Sequence, residues 1–288
     1  MTRTSTLATW MSGAIFLLAT LMGLVAFLYP FWVPALAQSG NTGLAHSQDA
    51  PYVLALLTGI CFVVLLLEVQ GAGMSAKTVA LLGVLISINS LLRFVDLAVP
   101  GPGGFSPIFL LIILVGYIYG PRLGFLMGAL TLLVSSIITG AMGPWLPYQM
   151  FTAGWIGMSA VICRPLVGGL GMRGRLGEVV VLALFAGLWG LLYGVIMNIW
   201  FWPFVVGTPD QYWEPGIGGM QTVQRYAVFY AVTSLGWDLV RMAGNVVLLL
   251  VFGGPVLRVL QRFQRRFTFV YSPVSQPVSQ TVSQANDA

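Results

Sequence analysis

From Trp10 to Trp32 the chain runs for 23 residues, WMSGAIFLLATLMGLVAFLYPFW, without a charged side chain. As an α-helix, a stretch of that length crosses the roughly 30 Å hydrocarbon core of a bilayer. Seven further apolar runs follow, at about 52–69, 75–97, 107–119, 123–139, 148–163, 179–200 and 226–252. Charged residues make up only 7% of the chain, against about 25% in a soluble domain. The alternation of a membrane barrel is absent, so helices must satisfy the backbone in lipid. The expected fold is an all-α polytopic membrane protein of about eight transmembrane helices.

The gaps between the runs give orientation. Arg3, Lys77, Arg122, the group Arg164, Arg173 and Arg175, and the cluster Arg258, Arg262, Arg265 and Arg266 fall in alternate gaps. The gaps between them carry almost no Lys or Arg, which is the positive-inside pattern. Both termini are therefore expected in the cytoplasm of a cell whose plasma membrane holds the chain. The uncharged stretch GPWLPYQMFTAGWIG, residues 143–157, then begins outside. The net charge of +5 reads as this topology signal, and no nucleic acid is expected as a partner. Ala35 and Ala37 form an A-x-A pattern after the first run, which leaves a cleaved signal peptide as an alternative to a retained helix. The end of the chain repeats Val-Ser-Gln and reads as a disordered tail.

Several chemistries lack their residues. The single histidine, His46, cannot build H-E-x-x-H, and no G-x-S-x-G occurs. The one lysine, Lys77, has no Walker A glycines around it, so the chain is not expected to hydrolyse nucleotides itself. Cys61 and Cys163 lie in apolar runs and read as small packing residues. No metal, no cofactor and no enzymatic activity is expected.

Ionisable residues inside a span are costly and tend to face the protein interior. Arg93 and Asp96 are three apart near the outer end of the third run, and Asp238 and Arg241 are three apart within the last. That spacing puts each pair on one helix face. Asn89 extends the first face and Asn245 the second. If the two faces meet, they form a polar seam. Asp238, Arg241 and Asn245 read as its structural half. Arg93 and Asp96 stand between structure and ligand contact. Trp145, Tyr148, Trp155, Trp200, Trp202, Tyr212 and Trp213 gather on the external side. They read either as an interfacial belt or, for Trp145 and Trp213 in long loops, as cover for a pocket. Gln149 and Asn198 add amides at that level. On the opposite side, the spacings Ala76–Ala80 and Gly83–Ser87 allow close approach of another helix, in this chain or in a partner.

Four stretches in this order, with ISINSLLRF, YIYGPRLGFLMGAL, GPWLPYQMFTAGWIG and DLVRMAGNVVLLLVFGGPVLRVLQRF, resemble the substrate-binding S component of an energy-coupling factor vitamin transporter. The resemblance spans about residues 75 to 266. It implies a six-helix substrate-binding core at 74–266, a two-helix addition at 1–73 whose role it does not explain, and the tail at 267–288. It implies capture of a vitamin-like small molecule near the external face, and delivery with a transmembrane coupling subunit and two cytoplasmic ATPase subunits. The family's Ala-x-x-x-Ala coupling motif matches Ala76 and Ala80, with Gly83 and Ser87 as a second candidate. Its ligand contacts fall on external loops and outer helix ends. Here these are Arg93, the loop 99–106, the stretch 143–157 and the loop 203–225. The candidate substrate-binding set is therefore Asn89, Arg93, Asp96, Trp145, Tyr148, Gln149, Asn198 and Trp213. Within the family the resemblance leans to cobalamin or another corrinoid, with riboflavin and thiamine as alternatives. A stand-alone secondary transporter is the rival reading; it usually shows repeated halves, and none is visible. Membrane lipid is the surrounding partner in every case.

Overall fold

A computed structural model describes residues 3–32, 49–70, 76–98, 105–205, 208 and 210–267. The Ala35–Ala37 pattern, His46, most of the loop 99–106 and the Val-Ser-Gln tail lie outside the described residues. The helices are α1 (Arg3–Trp32), α2 (Ala50–Gln70), α3 (Ala76–Ala98), α4 (Ile108–Tyr119), α5 (Pro121–Thr139) and α6 (Leu146–Ser159). They are followed by α7 (Cys163–Gly169), α8 (Leu176–Phe201), α9 (Gly219–Thr233) and α10 (Leu235–Phe267). Among the described residues, 6 helical segments are long and apolar enough to cross a membrane, and two shorter apolar helices accompany them. The chain is an all-α polytopic membrane protein.

The shorter helix α4 explains the core. Its 12 residues reach about 18 Å at 1.5 Å per residue, less than a bilayer's hydrocarbon thickness. Every residue from Ile108 to Ile118 is buried. A helix apolar on all sides belongs inside the protein, and α3, α5, α6 and α10 surround this one. The turn into α5 uses Gly120 at φ 105° followed by Pro121. Positive φ suits glycine, and proline suits a first helical position. The free carbonyls at the end of α4 are capped by side chains from elsewhere. Arg164 donates to Tyr117 O at 2.5 Å and to Ile118 O at 2.8 Å, and Gln264 donates to Ile118 O at 2.9 Å. Arg122, in the first turn of α5, and Arg262 and Arg265, flanking Gln264, lie at this same end.

Two seams of glycine set the helix spacing. Gly116, Gly124 and Gly157 bring α4, α5 and α6 together backbone to backbone; a methyl group on any of the three would overlap the main chain of a facing helix. In α8, Gly187, Gly190 and Gly194 lie against Val246, Met242 and Asp238 of α10. Small residues allow such approach where lipid tails supply no hydrophobic drive.

The last apolar run is not one helix. It breaks at Ser234, with φ −130° and ψ −28°. Thr233 returns its hydroxyl to Phe229 O at 2.7 Å, and Ser234 donates to Asn198 Oδ1 at 2.9 Å. Hydroxyl side chains that bond locally compete with helix continuation. Asp238 and Arg241 therefore sit in the first turns of α10, near the end of the bundle, and not mid-helix as the run length implied. The two polar faces also do not form a directly packed seam. Helix α4 packs on both α3 and α10. Asn89 is fully buried and donates to Ile108 O at 3.1 Å and Thr131 Oγ1 at 3.2 Å, while Asn245 donates to Ala186 O at 3.3 Å.

A candidate solute site at one end of the bundle

A cavity of about 370 Å³ opens where α8 ends and α6 and α10 begin. Its apolar walls are the aromatic rings of Trp145, Tyr193, Trp200, Phe201 and Trp237, with Met197 and Gly194. Its polar groups are Gln149, Asn198, Ser234, Asp238 and Arg241. The cavity is an open cleft whose lining mixes aromatic rings with placed polar groups, the combination by which small-molecule sites fix orientation.

Each polar group is held by an element boundary. Asn198, in the last turns of α8, donates to Gly194 O at 2.8 Å and accepts from Ser234 at the α9–α10 break. Asp238 pairs with Arg241 three residues on. The side chain of Asp238 is 3% exposed and that of Arg241 15%. The Asp238 carboxylate rests on the bare backbone of Gly194, where a methyl group would strike it. The guanidinium of Arg241 lies 5.3 Å from the centre of the Tyr193 ring, a favourable cation–π placement. Trp145 caps the start of α6, with its indole folded over Gly143. Gln149 follows one turn later, and Arg93 of α3 points at its Oε1 from 3.5 Å, the outer limit of a direct hydrogen bond.

Of the candidates named from sequence, Trp145, Gln149 and Asn198 line the cavity. Arg93 stands behind Gln149, and Asp96, half-buried, lies beside Arg93 and Ser106. Asn89 is bonded inside the core. Tyr148 is fully buried, with its hydroxyl on Asp49 at 2.7 Å. Trp213 packs edge-on against Phe31 of α1, centroids 5.3 Å apart. Asp238 and Arg241, assigned from sequence to a structural seam, are part of the cavity wall. Sequence reasoning missed Tyr193, Gly194, Met197, Phe201, Ser234 and Trp237. Two signals could have found this region: the Thr233–Ser234 pair inside the last run, and the glycine spacing 187, 190, 194 in α8.

The bundle is that of a multi-pass membrane protein with an aromatic-lined cavity at one end. Residues 77–269 match the family model of the ECF transporter, substrate-specific component, and the chain belongs to that family. The family is one of transport proteins, and it implies a small-molecule substrate and a complex with a coupling subunit and ATPases. No curated protein and no solved structure matches the chain.

Proposed function

We propose that this chain captures a vitamin-class solute from outside the plasma membrane and releases it inward when a coupling subunit and two ATPases act on it. The cavity carries this reading. It combines five aromatic side chains with an Arg–Asp pair and two amides, so it can grip a ring system and read polar substituents together. It lies at the end of the bundle away from Lys77, Arg122, Arg164 and the C-terminal arginines of α10 (Arg258, Arg262, Arg265 and Arg266), which the positive-inside pattern assigns to the cytoplasm along with both termini. Within that class we favour a corrinoid such as cobalamin, with one amide-bearing arm in the cavity and the remainder against the outer loops. A volume of about 370 Å³ is at the low end for enclosed ligands, which run from about 300 to 1,000 Å³. That favours, as a second reading, a compact vitamin enclosed whole. Mass spectrometry of small molecules co-purifying with the chain separates the two. Purification free of any solute after growth in vitamin-replete medium would sink the capture reading.

Trp145→Ala is expected to weaken solute binding at least about tenfold while expression is unchanged, since truncating an aromatic binding anchor commonly costs about 2 kcal/mol or more. Titration of the purified protein measures this, and unaltered affinity would reduce residues 143–157 to a connecting turn.

For the coupling contact we propose the outward face of α3. Ala80, Gly83 and Ser87 are exposed there beside Val84, Ile88 and Leu91, and Ala76 begins the helix. A Cβ added at Gly83 meets nothing within 4 Å, so a larger side chain fits this chain by itself. Ala80→Trp and Gly83→Leu are expected to abolish ATP-dependent uptake in cells and leave solute affinity within about twofold, as for exposed sites remote from a cavity. Uptake at the wild-type rate would remove the assignment.

A further inference from the structure

The matched family region begins at residue 77, so α1 and α2 lie before it. Both nevertheless pack against the element that opens the cavity. Asp49, immediately before α2, accepts a hydrogen bond from the Tyr148 hydroxyl of α6 at 2.7 Å. Tyr29 of α1 lies beside the same carboxylate. A hydroxyl–carboxylate bond of this length is of the strong, charge-assisted kind. The ring of Tyr148 is set edge-on by Phe27 of α1 at 5.0 Å and leans on the cavity residue Trp200 at 5.9 Å. One turn of α6 thus carries Trp145 and Gln149 in the cavity and Tyr148 on the added helices.

We infer that Asp49 is a positioning residue for the solute site: by holding Tyr29 and Tyr148 together, it fixes the first turn of α6 and with it Trp145 and Gln149. The two added helices are then part of the machinery that sets the cavity's shape. They are more than an accessory to the bundle. The inference rests on the cavity being the solute site, but its test needs no solute. The carboxylate does not line the cavity, so Asp49 acts on it through Tyr148.

The experiment measures thiol labelling at Gln149→Cys in the full-length purified chain, using a water-soluble maleimide. Cys61 and Cys163 are buried and give a low background. Asp49→Ala and Tyr148→Phe, the latter keeping the packed ring, are each expected to speed labelling about tenfold, the scale set by losing a hydrogen bond to a charged group. Combining them should add nothing further, because both cut the same link. Asp49→Asn keeps an acceptor oxygen for Tyr148 and should stay within about twofold of the parent, consistent with a neutral hydrogen bond replacing a charged one. A second probe, Ser234→Cys on the opposite wall, should label at an unchanged rate. Unchanged labelling at position 149 in Asp49→Ala and Tyr148→Phe overturns the inference. So does equal acceleration at 149 and 234, which would mean general loosening. If the labelling pattern holds and no solute is ever found, the capture reading fails and the positioning link stands as a property of the cavity. If solute is bound and the labelling pattern fails, only the inference falls.

Discussion

Arg241→Ala is expected to abolish measurable solute capture and to destabilise the protein by about 3–5 kcal/mol, the cost of removing one partner of a buried ion pair. The carboxylate left behind is the reason. Asp238 is 2% exposed, it lies over the backbone of Gly194, and Arg241 is its charged partner. Taking away the guanidinium leaves a charge, or a proton forced onto it, in a site made for neither. The same change also removes the cation over Tyr193. The double variant Asp238→Asn with Arg241→Gln separates the two roles. Neutralising both partners should recover most of the stability, since a buried pair is worth little against a neutral replacement. Solute affinity should not recover, because the charges lining the cavity are gone. Thermal unfolding in detergent and solute titration are the two measurements. A double variant as unstable as the single would show that the lone carboxylate is not the cause. A stable double variant that binds like the parent would show that the pair does not touch the solute.

Gly157→Val carries the second large effect, this time on folding alone. Its α-carbon faces the Gly124 backbone, and Gly116 of α4 presses on the carbonyl of Gly157 itself. Three helices meet at this point main chain to main chain, so no flexible side chain can move aside. Overpacking a tight core costs about 1–3 kcal/mol even where neighbours adjust, and here backbone must separate. The expected result is loss of monodisperse protein on size exclusion. Gly59→Val, where a Cβ meets nothing within 4 Å, serves as the control and should behave as the parent. A well-behaved Gly157→Val protein would mean that α5 and α6 do not approach as closely as described.

These two expectations differ in how far the chain alone foretold them. Gly154 and Gly157 sit in an uncharged stretch whose place between apolar runs marks it as a helix entering the membrane. Close packing at Gly157 was legible from residue size. The ion pair was legible too, but its position along the helix was not. A run of 27 residues from Tyr226 to Phe252 looks like one span, with Asp238 and Arg241 near its middle. Hydropathy does not register the local hydroxyl bonds of Thr233 and Ser234 that end α9 and start α10.

The sequence by itself determined the eight apolar segments, the alternation of basic gaps and the absence of nucleotide-hydrolysing motifs. The physical reason is that the cost of placing a backbone or a charge in lipid depends on residue type along the chain, and so reads without knowledge of neighbours. Only the tertiary structure decided which polar residues share a cavity. Asn89 and Gln149 are both amides near an aromatic-rich end; one is consumed by Ile108 and Thr131 in the core, and the other faces open space. Tyr193, in the apolar run LLYGVIMNIW, carries no mark of its place beneath the Arg241 guanidinium. Such placements depend on how glycine seams let α8 approach α10 and α6 approach α5, which is a property of helix pairs and not of any one helix.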